Sequence, residues 1–73
     1  MSLIERQQHL ITKLEHIYRT AIGGARAGMR SRALREHVEE MRAAGYTKDE
    51  AWTSANDCRD MAELNIACPL LAA

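Results

Sequence analysis

His9, His16 and His37 are the side chains of this chain best suited to holding a metal or moving a proton. Spacing decides against a shared metal. His9 and His16 are seven residues apart, about 10.5 Å along a helix, whereas donors on one zinc ion lie within about 4 Å of each other. Both fall on the polar side of the first helix described below, so they read as solvated surface. His37 flanks an apolar stripe and reads as a histidine at the edge of the core. The two cysteines, Cys58 and Cys68, would sit about 15 Å apart on one helix. A disulfide needs Cα atoms within about 7 Å, so no intramolecular bridge is expected and a reducing cytoplasm fits best.

Nucleophilic and acid–base chemistry have equally little to work with. There is no Gly-x-Ser-x-Gly elbow, and nothing in the spacing sets Ser31 or Ser54 beside a histidine. Cys58 lies on an apolar helical stripe, where a buried, unreactive thiol is expected. The carboxylate pairs Glu36/Glu40 and Asp57/Asp60 lie on charged faces that water would cover. Gly23, Gly24 and Gly28 lack the preceding strand and the Lys-Ser/Thr ending of a phosphate loop. The chain therefore reads as a non-enzyme, with no catalytic, cofactor-binding or metal-ligating residue.

The elements that must position these residues are helices. Seventy-three residues make a single small domain, 1–73, of 47% hydrophobic and 27% charged residues, a globular composition. No strand-like alternation persists. The first helix is expected over about 3–22. At about 100° per residue, Leu3, Ile4, Leu10, Ile11, Leu14, Ile17, Tyr18, Ala21 and Ile22 share an arc of roughly 140°. Only Gln7 interrupts that arc. Gly23-Gly24 and Gly28 then predict a break, with a single bent helix as the alternative. The second helix, about 29–44, carries Leu34, Val38 and Met41 on one stripe. Gly45 ends it. Thr47 with Glu50 three residues later forms a capping box that opens a third helix over about 48–67, stopped by Pro69. Its main stripe is Ala51, Ala55, Cys58 and Ala62. Residues 69–73 form an apolar tail that either docks or frays. The expected fold is all-α, a helical hairpin or three-helix bundle, completed by dimerisation because one short chain cannot cover so wide a stripe.

Net charge is zero but uneven. Residues 1–46 hold eight Lys/Arg and five Asp/Glu, giving +3, and residues 47–73 hold two and five, giving −3. Arg26, Arg30, Arg32 and Arg35 cluster near the second helix, and Gly45-Tyr46-Thr47 resembles the turn of a helix-turn-helix. The helix that would enter the groove, however, carries Asp49, Glu50, Asp57, Asp60 and Glu63, which phosphates repel. Pairing of Arg32 with Glu36 and Arg35 with Glu39 at i,i+4 would neutralise part of the cluster, leaving Arg26 and Arg30 as the phosphate-binding candidates. No secretory leader or membrane span is read, since Leu3-Ile4 runs into Glu5-Arg6 and no apolar run approaches about 20 residues.

Protein–protein contact is the stronger expectation: a regulator or inhibitor, in the cytoplasm and itself homo-oligomeric. Tyr46 and Trp52 bracket the start of the third helix and are of the types enriched at interface anchors. Met61 and Leu64 point away from the main stripe and suggest a second contact surface. The run Ser54-Ala55-Asn56-Asp57-Cys58-Arg59, followed by Ala62-Glu63-Leu64, resembles the last long helix of the small enterobacterial haemolysin-expression modulators. The likeness is confined to this stretch and takes a one-residue insertion. It implies a helical co-regulator that acts by binding another protein.

Overall fold

Residues 1–68 are described by the computed structural model, and the apolar tail 69–73 lies outside them. Three helices follow one another: α1 Leu3–Thr20, α2 Gly23–Ala43 and α3 Lys48–Ala67. Each packs against the other two. Cross-helix bonds give their directions: Gln7 meets Ser54 and Glu15 meets Asn65, so α1 and α3 run parallel. Lys13 reaches Glu36, and α2 runs back between them in the opposite sense.

Both ends of α1 are closed by local chemistry, whereas the start of α2 at Ile22 has no side-chain cap. Ser2 caps α1 by accepting from the Glu5 amide at 3.1 Å. At the other end, the Arg26 guanidinium folds back and donates to the carbonyls of Ala21, at 2.8 Å, and Tyr18, at 3.2 Å. These are carbonyls that a helix C-terminus leaves without amide partners. Ala21 and Ile22 are extended, and Gly23 takes φ +63°, so the chain turns at 21–23. The glycines that predicted a break over 23–28 therefore lie inside α2, which starts six residues earlier than the expected 29. The bent single helix is not formed.

The turn between α2 and α3 is a Schellman motif. Gly45 has φ +101°, its amide donates to the Arg42 carbonyl, and the Tyr46 amide donates to the Met41 carbonyl, both at 3.1 Å. That geometry folds the residue after the glycine back onto the helix. Tyr46 is consequently half-buried against the core. Thr47 and Glu50 form the expected reciprocal capping box, and the two bonds to Thr47 hold the Glu50 carboxyl below its ordinary range.

The core consists of Leu10, Leu14 and Ile17 from α1, Ala33, Leu34, Val38 and Met41 from α2, and Ala51, Ala55, Cys58 and Ala62 from α3. Leu14 and Met41 are its largest fully buried side chains. Burying a side chain of that size stabilises by about 1.5–3 kcal/mol. The first-helix arc divides along its width. Leu10, Leu14 and Ile17 are buried, Ile11 and Tyr18 are partly covered, and Ile4 and Ile22 stand 70% and 79% exposed.

Candidate functional site

His37 and Ser54 sit together between the helices. Antiparallel packing of α2 on α3 brings His37 Nε2 within 2.9 Å of Ser54 Oγ, a contact that sequence spacing did not suggest. Gln7 Nε2 donates to the same hydroxyl at 3.2 Å, and Cys58 Sγ donates to the Gln7 carbonyl at 3.7 Å. Gln7, the one interruption in the apolar arc of α1, is thus the α1 member of an inter-helix polar cluster. A serine within hydrogen-bond reach of a histidine is half of a nucleophile–base pair. Here the two residues are only 6% and 4% exposed, and Ser54 meets open space only as one lining residue of the cleft beside the α2–α3 turn described below.

Burial pushes the His37 imidazole below its ordinary range; Arg6 adds to that shift and Glu40 opposes it. Burial likewise raises the Cys58 thiol, with Asp57 adding and the bond to Ser54 opposing. A neutral ring and a protonated thiol are what a cluster that ties three helices together requires. Among the described residues no group of three His, Cys, Asp or Glu is placed to hold a metal ion.

Open surface flanks the polar cluster, with Gln7, Ser54 and Cys58 among its lining residues. Between α1 and α3 runs a cleft of about 540 Å³, lined by Ile4, Gln7, Gln8, Ile11, Thr12, Glu15, Asp57, Cys58, Met61 and Asn65. A second cleft of about 400 Å³ opens where α1, α3 and the α2–α3 turn meet, lined among others by Leu3, Met41, Tyr46, Asp49 and Glu50. The two share Gln7 and Asp57, so one seam runs from Tyr46 to Asn65. Its apolar residues include Ile4 and Met61, the latter 47% exposed. Every charged residue lining it, among the described residues, is acidic: Glu15, Asp49, Glu50 and Asp57. Glu15 is held by Asn65 at 2.8 Å and Arg19 at 3.5 Å. Asp49 and Asp57 form no ion pair among the described residues.

Of the four anchor residues suggested by the sequence, Tyr46 and Met61 fall on this seam. Leu64 is 46% exposed on the outer surface of α3 but lines neither cleft. Trp52 is half-buried against the core, and at about 100° per residue it lies on the opposite side of α3 from Met61. Ile4 was legible only as the outer edge of the α1 arc.

Arg26 and Arg30 are engaged within the chain. Arg26 closes the end of α1 as described, and Arg30 stands 4.0 Å from Glu63, which also accepts from the Tyr18 hydroxyl at 3.1 Å. The i,i+4 pairs expected for Arg32 and Arg35 do not form. Glu36 pairs instead with Lys13 at 3.0 Å, and Arg32 lines a smaller, mixed-charge cleft between α1 and α2 with Lys13, His16 and Met29.

Fold and site together define a small three-helix protein with a buried polar cluster between its helices and an open, acid-rimmed seam beside it. Comparisons with protein-family models, curated proteins and solved structures give no match. The short likeness of α3 to the haemolysin-expression modulators therefore has no counterpart at the level of the whole chain. No helix among the described residues is long and apolar enough to cross a membrane.

Proposed function

We propose that this chain is a small non-enzymatic regulator or inhibitor that works by binding another protein, and that the α1–α3 seam is its binding surface. The observation that carries the proposal is the alignment of Ile4, Ile11 and Met61 along one continuous cleft. Single exposed apolar residues are ordinary on small proteins, whereas apolar residues lined up in a groove and rimmed by polar ones mark contact sites. The buried Ser54–His37 pair and the raised Cys58 thiol support a non-catalytic role.

A second copy of the chain is the other occupant with support, because the Leu3–Ile4 edge of the α1 arc stays uncovered. Duplex binding through Arg26 and Arg30 draws less support, since the first is spent on capping α1 and the second faces Glu63.

The test compares tagged wild type with Ile4→Glu and Met61→Glu in lysate of the source organism. Both substitutions fall on exposed positions, so both variants should melt with wild type. Proteins retained by wild type and released by both variants support the seam. Identical retention by all three would refute it.

A further inference from the structure

Resting on the seam as the binding surface, we infer that its partner is a cationic amphipathic helix: an apolar stripe lying over Ile4, Ile11 and Met61, flanked by Lys or Arg. Shape sets the length. The α1 side of the seam runs from Leu3 to Glu15, about 18 Å at 1.5 Å per residue, so about three helical turns cover it. A helix laid in a groove presents anchors at i, i+3, i+4 and i+7, and the apolar positions of the seam suit that spacing.

Charge sets the sign. The seam is lined by acids and, among the described residues, by no Lys or Arg. Asp57 stands where the two clefts join, without an ion pair, so a cation flanking the stripe would meet it directly. The same rim disfavours a second copy. Two-fold pairing across this face would set the same patch against itself, bringing Asp57 and Glu15 of one copy against the acids of the other. Like charges brought together across an interface oppose association.

Three synthetic helical peptides of one apolar pattern, with Lys, Gln or Glu at every flanking position, test the inference by fluorescence anisotropy against the full chain. The Lys peptide should bind about tenfold tighter than the Glu peptide at low salt, as the product of several screened surface pairs. The gap should close toward 1 M salt, where the screening length falls to about 3 Å. Asp57→Lys should remove most of the preference, and Met61→Glu should abolish binding of all three peptides.

Equal binding of the three peptides would overturn the charge inference while leaving the seam as the binding surface. No binding of any peptide, with Ile4→Glu and Met61→Glu still releasing a captured protein, would overturn the helical partner alone. If those variants release nothing either, the seam itself fails. A wild-type dimer in sedimentation that Met61→Glu converts to monomer would make a second copy the occupant and overturn the inference.

Discussion

Gly28 offers a direct check on where α2 begins. It lies inside Gly23–Ala43 with φ outside the left-handed region, and a Cβ added there meets no atom within 4 Å. Glycine in an exposed helix interior is less favourable than alanine by about 0.8–1.0 kcal/mol, mostly through the freedom it adds to the unfolded chain. Gly28→Ala should therefore stabilise the protein by about 1 kcal/mol. For a domain of this size that raises Tm by roughly 4–8 °C. Gly24→Ala is equally free of contacts but lies in the first turn, which frays, and should gain less. Gly23→Ala should act in the opposite direction, because φ +63° costs a residue with a Cβ about 1–2 kcal/mol. Thermal melts of the three variants followed by ellipticity give the ranking Gly28→Ala, Gly24→Ala, wild type, Gly23→Ala. A helix starting at 29 instead predicts no gain at 28, so a Gly28→Ala variant that melts with or below wild type would refute the assignment.

Leu14→Ala should cost 2–5 kcal/mol, the range for deleting a buried leucine, and in so small a domain that is enough to leave the chain largely unfolded at 37 °C; a cooperative melt close to wild type would show that the α1 packing is wrong. Stability should also fall on mild acidification, because the unfolded His37 imidazole titrates near its ordinary value of about 6.5 and the folded one lower. Between those values the unfolded state binds more proton, so the stabilisation is complete above about pH 6.5 and is lost as pH falls toward the folded value. Denaturant melts between about pH 7.5 and about pH 5.5 should show this decline, and His37→Gln should flatten it; an unchanged slope in the variant would remove His37 as its cause.

The three helices were legible because their signals are local. Thr47 and Glu50 satisfy each other within one turn, Gly45 supplies the positive φ that its turn needs, and Leu10, Leu14 and Ile17 recur at helical spacing. The start of α2 was not legible. Three glycines read as a break somewhere over 23–28; the chain breaks at the first of them, Gly23 at φ +63°, where Arg26 reaches back to cap α1 and the other two continue into α2. Nothing in residue spacing foretells which of several arginines will do that. The same holds for the ion pairs: Arg32–Glu36 is the pairing that spacing favours, but Lys13 from the neighbouring helix takes Glu36. The partial burial of Tyr46 was not legible for a related reason, since it follows from the backbone path after Gly45 and not from its neighbours in sequence. Gln7 was a signal that could have been followed further, because a polar residue breaking an apolar arc calls for a polar partner across the core, and Ser54 is that partner.

The openness of the seam follows from how α3 divides its side chains. The stripe it turns inward is small: Ala51, Ala55 and Ala62 are fully buried and Cys58 nearly so. Small side chains let helices approach closely, and the bulk of the core then comes from the leucines, isoleucine, valine and methionine of α1 and α2. The larger side chains of α3 are left for its flanks. Trp52 and Ile66 are partly buried, while Met61 faces the seam and Leu64 is exposed outside it. Across from Met61, α1 offers Ile4 and Ile11 at the edge of an arc too wide for one neighbour to cover. Gln8, Thr12, Asp57 and Asn65 stand between them, too polar to close the gap by collapsing into it. A chain of this length has no fourth helix among its described residues to lay over that line. Under the proposed function another polypeptide covers that line, and the acids along the rim favour one that carries positive charge beside its apolar stripe.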